Sequence, residues 1–423
     1  MGAFMGCEEF EAQLATTSFT SIFISDNKAQ RHELSRAAIP RKITSSGHGQ
    51  LDGAVVAIKA NIALKGLATS AGSKLLSERP AGENATVIEA IINAGAMPVG
   101  HANMTELAFS GLGLNPHFGT AENALDTSLV PGGSSSGCAS AIASGLCDLA
   151  IGSDTSGSTR IPAAFQGICG YRPTMGRYAM EGVVPLAPSL DVLGPMARNV
   201  EGIIALDCAM RGTLPERVNA TPFTQKFILP VFSHPVLDED ISNAFEDTVN
   251  LLEQHGIDIE RRPFPAFDKT LALFAEFGPL VGHEAYEQIT QLVALEDKLI
   301  DPQIKKRLRD FTPVSADTLQ HIMTTRAKLC QLVQETLSGN LMLMPTVACR
   351  PPNLAEVQES SATFQRKNAD VLKLTMLTAF LNVPSLAIPM KPADPGLSYS
   401  VCGAYGTDDE VLQAGLHLEH LLN

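Results

Sequence analysis

No stretch of the 423 residues is an uninterrupted apolar run of the ~18 needed to cross a bilayer, so no membrane-spanning helix is expected. Met1 to Phe10 lacks a basic region followed by an apolar run, which argues against a secretory leader there. The Met-Gly start carries Gly6 where a myristoylation site wants Ser or Thr. Basic residues are scarce as well. Against 45 Asp and Glu there are 31 Lys and Arg, a formal net charge of -14, which argues against nucleic acid or an anionic membrane as the partner. The eight cysteines show no CxxC spacing, as suits a reducing cytoplasm and no structural metal. The ten histidines include no HExxH. His417-Leu418-Glu419-His420 alone is a weak ligand pair on an amphipathic helix, so neither a metal nor any other cofactor is expected.

Apolar residues make up 45% and charged residues 18%, the composition of a globular chain. From Ala85, Val87, Ile88, Ile91 and Ile92 recur at helical spacing, Gly95 stops the helix, and Met97-Pro98-Val99 resumes as a strand. The rhythm returns as strand Phe227-Ile228-Leu229, helix Ile241 to Leu252, stop Gly256 and strand Ile257-Asp258-Ile259. Strands alternating with helices imply an α/β architecture with a sheet covered on both faces. Residues 51–210 are rich in Gly, Ala and Ser, whereas about 265–340 is more charged and reads as a helical excursion through Pro302 to Phe311 and Ala316 to Leu337. Apolar strands return at Leu341 to Met344 and Ser385 to Ile388, so one domain over 1–423 is expected.

Two loops stand out: Pro131-Gly132-Gly133-Ser134-Ser135-Ser136-Gly137 and Gly152-Ser153-Asp154-Thr155-Ser156-Gly157-Ser158-Thr159-Arg160. Their glycines let backbone approach a ligand, and successive N–H groups make anion-binding concavities. The helix between them, Cys138 to Gly145, is too poor in large residues for ordinary core, which suggests that the loops share one site. Flexible linkers would read similarly, although linkers seldom abut apolar elements. A phosphate cradle would need a Lys-Ser/Thr ending that is missing. Gly133-x-Ser135-x-Gly137 also fits a nucleophile elbow, with His417 or His420 completing a triad, but that motif needs a strand just before it. The third element is Ala54-Val55-Val56-Ala57-Ile58-Lys59. A lysine ending an apolar strand either snorkels to the surface or, desolvated, becomes a general base.

Together these residues resemble the amidase signature family: the strand ending in Lys59, Pro131 to Ser135, Gly152-Ser153-Asp154-x-x-Gly157-Ser158-x-Arg160, Ile161 to Phe165, and Gly170-Tyr171-Arg172-Pro173-Thr174. The signature core covers about 50–210, with weaker echoes at Met344-Pro345-Thr346 and Leu381 to Ser385. The resemblance implies a large mixed, twisted β-sheet with helices on both faces. It also implies a catalytic set: Ser158 as nucleophile, Ser134 after a cis peptide bond as bridge, and Lys59 as base. The N–H groups of Thr155, Ser156 and Gly157 would form the oxyanion hole, and Asp154 with Arg160 would brace the loop. Ser136 and Ser156 depart from the family by standing where many members have glycine.

The implied partner is a small-molecule amide, with a homodimer as one assembly the family permits. Lys59-Ala60-Asn61-Ile62, Asn103 to Leu107 and Tyr171 to Tyr178 look most like hydrolases of arylacetamides such as indoleacetamide. Ser134 to Ser136 and Gly182 to Pro185 are also similar to ureido-acid and malonamate hydrolases. Pro188 stands where allophanate hydrolases carry a carboxylate-binding arginine. The A-type subunit of the transfer-RNA amidotransferase, which works inside a complex, shares the same residues.

Overall fold

A computed structural model describes residues 4–24, 51–213, 226–233, 237–311 and 314–422. Among them ten strands form one sheet: β1 (Val55–Lys59), β2 (Met97–Ala102), β3 (Leu149–Asp154), β4 (Cys169–Arg172), β5 (Val192–Ala197), β6 (Phe227–Val231), β7 (Ile259–Pro263), β8 (Leu341–Pro345), β9 (Ser385–Pro389) and β10 (Ser398–Cys402). Their order is β2-β1-β3-β5-β4-β9-β10-β8-β6-β7. β1 runs parallel to β2 and β3, and β6 parallel to β7 and β8, while the pairs through β5, β4, β9 and β10 are antiparallel. The sheet is therefore mixed.

Alternation along the strands explains its two covered faces. Val56 and Ile58 of β1, Leu149 and Ile151 of β3, and Leu341 and Leu343 of β8 belong to one hydrophobic cluster. Helices Thr86–Asn93, Val200–Arg211 and Asp408–Leu422 contribute to the same cluster through Val87, Ile88, Ile203, Leu206, Val411 and Leu418. Val55, Ala57 and Ala150 face the other way, toward helix Ser136–Ala143. Met342 and Met344 do likewise, toward helices Pro265–Phe277 and Ala316–Leu337. Strands buried on both sides read as continuous apolar runs, which is why they lack a polar face.

The excursion expected at about 265–340 consists of helices Pro265–Phe277, Leu280–Leu292, Pro302–Asp310 and Ala316–Leu337. One expectation fails. The small-residue helix is core after all, with Ser136 to Ile142 all buried. Its side chains are small because backbone crosses it closely: a Cβ on Gly137 would lie 2.4 Å from both Asn103 N and Ile22 O.

Candidate active site

Lys59 is the last residue of β1 and Asp154 the last of β3. The strands are parallel neighbours, with Ile58 opposite Ile151, so both residues emerge at carboxyl ends, where open α/β sheets form their binding crevices. Lys59 is fully buried. Its Nζ lies 2.7 Å from Ser134 Oγ, 2.8 Å from Ser153 Oγ and 3.3 Å from the Ser153 carbonyl. Asn61 Nδ2 donates to the same Ser153 hydroxyl at 3.1 Å. The lysine does not snorkel. Burial strips its ammonium of water and lowers its pKa from 10.5 to about 8, against the opposing pull of Cys138, Asp154 and Asp191.

The peptide bond between Gly133 and Ser134 is cis. Thr105 N–H donates to the Ser134 carbonyl at 3.1 Å, and Ser135 N–H donates to the Ser158 carbonyl at 3.2 Å, which draws the two serine loops together. The second loop is held from below by Asp154. Its Oδ1 accepts from Gly157 N–H at 2.7 Å and Arg160 Nη2 at 3.0 Å, while Oδ2 accepts from Arg160 Nε at 3.0 Å and Thr159 Oγ1 at 2.9 Å. Burial would push this carboxyl up, but Arg160 and Arg172 hold it well below the usual range. Gly157 has φ +129, and a Cβ there would meet Thr375 Oγ1 at 2.2 Å, so no other residue fits without a shift.

The structure thus brings Lys59, Ser134 and Ser158 into one cluster, with an incomplete chain of side-chain bonds. Among the described residues, the Lys59–Ser134 contact is formed and no hydrogen bond joins the Ser134 and Ser158 hydroxyls. Ser158 is 6% exposed and Ser156 7%, against 0% for Lys59 and Ser134, so solvent reaches the cluster from the Ser158 side. Of the three expected oxyanion donors, Gly157 N–H is already engaged by Asp154, which leaves Thr155 and Ser156.

The elbow alternative finds no support. Residues 127–131 form no strand, only an isolated bridge from Leu129 to Asn353. Ser135 is fully buried with its hydroxyl 3.4 Å from the Ser153 carbonyl, while His420 is largely exposed beside Glu201. Two surface cavities of about 340 and 270 Å3 also lie apart from the cluster and include none of its residues.

Several residues beside the cluster carry no role in the sequence reading. Ser153 and Asn61 sit inside quoted motifs, but Ser153 meets Lys59 only through the pairing of β1 with β3. Thr375, whose hydroxyl donates to the Ser156 carbonyl at 2.7 Å, and Asp191, which accepts from Thr155 Oγ1 at 2.6 Å, have no local sequence signal.

The comparison with known families settles the kinship. The amidase family pattern matches residues 10–412. The chain belongs to the amidase family. Among curated amidase relatives it is 38% identical over 255 residues to a mandelamide hydrolase of Pseudomonas putida, covering 58% of this chain and 49% of that one. It is 45% identical over 164 residues to a glutamyl-tRNA(Gln) amidotransferase subunit from Halobacterium salinarum, 39% of each chain. These matches span about half or less of the relatives' own length. A crystal structure of an amidase superposes with a TM-score of 0.79 at 25% identity, covering 99% of this chain and 100% of that one.

The Asp154–Arg160 brace yields a stability prediction. Arg160 also donates to Thr378 Oγ1 at 2.6 Å and the Thr375 carbonyl at 3.1 Å, so Arg160→Met unties four bonds and leaves a buried carboxylate with Arg172 as its remaining cation. The expected loss is about 3–5 kcal/mol in denaturant unfolding. The sign with pH follows from the depressed carboxyl. Its contribution is complete above the unfolded pKa of ~3.9 and is lost as pH falls toward the lower folded value. Acid unfolding of Arg160→Met should therefore begin at higher pH than in the parent.

Proposed function

We propose that the chain hydrolyses a small carboxylic amide to carboxylate and ammonia through an acyl-enzyme on Ser158. The observation that carries this reading is the fully buried Lys59 Nζ, 2.7 Å from Ser134 Oγ, with its pKa lowered to about 8. A neutral amine has two N–H donors and one lone pair. If the Ser153 carbonyl and hydroxyl accept the two N–H bonds, the lone pair is aimed at the Ser134 hydroxyl. Asn61, donating to Ser153 Oγ, steadies that arrangement.

As the Ser158 oxygen bonds to the amide carbon, its proton passes to Ser134, and the Ser134 proton passes to Lys59. The carbonyl oxygen becomes an oxyanion received by the N–H groups of Thr155 and Ser156. Collapse of the tetrahedral intermediate breaks the C–N bond, and the relay returns a proton to the departing amine. Water then attacks the ester by the same route, giving the carboxylate and free Ser158. The open Ser134–Ser158 contact suits a resting site, since catalytic hydrogen bonds often tighten only with substrate bound.

The acyl group we propose is an arylacetyl. In support, mandelamide is itself an arylacetamide, and the relative hydrolysing it is 38% identical. Pro188 in place of a carboxylate-binding arginine speaks against allophanate. The similarity to the amidotransferase component favours a second reading, in which the chain acts only inside a complex. Ammonia release from phenylacetamide, mandelamide, indoleacetamide and malonamate by the purified chain separates these. Turnover strongest on the aryl substrates supports the first reading. Turnover confined to malonamate moves the substrate to small acid amides. Inertness of the chain alone, with co-purification of two partner subunits, supports the second.

A further inference from the structure

The ends of β3 and β5 hold a contact that the proposed mechanism has not used. The antiparallel ladder pairs Asp154 with Val192, so the next residues outward, Thr155 and Asp191, are brought face to face. Thr155 Oγ1 donates to Asp191 Oδ1 at 2.6 Å. The other carboxylate oxygen accepts Leu186 N–H at 2.8 Å and Ala187 N–H at 3.0 Å. Arg172 clamps this pair from behind, donating to the Asp154 carbonyl and, at 2.9 Å, to the Leu190 carbonyl. The segment that Asp191 gathers is tied to the lysine side as well: Val184 N–H donates to the Asn61 carbonyl at 2.9 Å, and Ile62 bridges Val183. One carboxylate thus joins the loop after β3 to a strap fastened two residues beyond Lys59.

Resting on the serine-hydrolase reading above, we infer that Asp191 is a positioning residue that fixes the Thr155 peptide so its N–H faces the developing oxyanion. Thr155 carries this effect through its hydroxyl. A side chain held by a bond of 2.6 Å cannot rotate its own backbone freely, and preorganised donors are effective because they need not reorganise during reaction. An uncharged side chain could make the same bond, but the carboxylate accepts three donors at once and so orders both segments.

The charged groups around Asp191 give the inference a second readout. Lys59, Arg172 and Glu284 all interact with it, and Lys59 also interacts with Cys138 and Asp154. Asp191 raises the Lys59 pKa, opposing burial. Removing its charge therefore lowers that pKa further, and the neutral base persists to lower pH.

The test is kcat, KM and the pH profile of amide hydrolysis for the parent, Asp191→Asn, Thr155→Val and Thr155→Ser, each with its Tm. Thr155→Val should lower kcat about 10- to 100-fold with little change in KM and an unmoved pH limb. Thr155→Ser, which keeps the hydroxyl, should recover part of that loss. Asp191→Asn should lower kcat and move the rising limb to lower pH. Variants that lose Tm while the folded enzyme keeps its kcat and pH limb would overturn the inference, leaving Asp191 a structural brace. A parent chain inert on every amide would overturn the hydrolase reading and this one with it. A parent active with unaltered variants overturns this one alone.

Discussion

Ser158→Ala is expected to reduce amide hydrolysis at least ~10,000-fold while moving Tm by no more than ~2 °C. The two halves of that result have separate causes. Activity collapses because neither neighbouring hydroxyl stands in for Ser158: Ser134 is fully buried and committed to Lys59, and the Ser156 hydroxyl is itself buried with no base bonded to it among the described residues. Stability survives because the substitution removes one oxygen from a 6% exposed side chain and opens no apolar cavity. What holds the loop is its backbone, through the Ser158 carbonyl bond to Ser135 N–H and the Asp154 bonds on either side of Ser158. Ser135→Ala is the control. It should keep a substantial share of turnover, where an elbow mechanism would make it the dead variant.

Lys59→Ala and Lys59→Arg should each lose most of the rate, and both should lose the pH dependence. With the lysine pKa lowered to about 8, kcat/KM on a neutral amide should rise through neutrality, reach half its maximum near that value and level off in the alkaline range. The sign follows from which form works. Only the neutral amine accepts the Ser134 proton, so activity appears as the ammonium is lost. Arginine stays protonated over this range and its guanidinium has no lone pair to offer, so it cannot replace the base whatever its fit. A Lys59→Arg enzyme of near-normal activity would mean that the position supplies charge or structure instead.

Lys59 and the two serine loops stood out because local chemistry there is odd: a cation ending an apolar strand, and serines among glycines. The choice of Ser134 and Ser158 within those loops came from the resemblance to the amidase signature family. The helix Thr86–Asn93 and the strands β1, β6 and β8 were legible from their periodicity or apolar runs. β5 was not, since Val192-Leu193-Gly194-Pro195-Met196-Ala197 carries a glycine and a proline that mute a strand signal. Missing β5 meant missing Asp191, whose meeting with Thr155 depends on the β3–β5 register. Thr375 was hidden for another reason. It reaches Ser156 from 219 residues downstream, and no window of sequence joins the two. The small-residue helix Ser136–Ala143 was misread because composition reports side-chain size, not how closely Asn103 and Ile22 press upon it.

The most direct measurement is to find the acyl group. The purified chain is mixed with an activated ester of phenylacetic acid, quenched within the first turnover, and its intact mass and proteolytic fragments are read by mass spectrometry. The account predicts one phenylacetyl group on the fragment containing Ser158, absent in Ser158→Ala and accumulating more slowly in Lys59→Ala. An acyl group found on Ser135, or a burst of acylation that persists undiminished in Ser158→Ala, would contradict it.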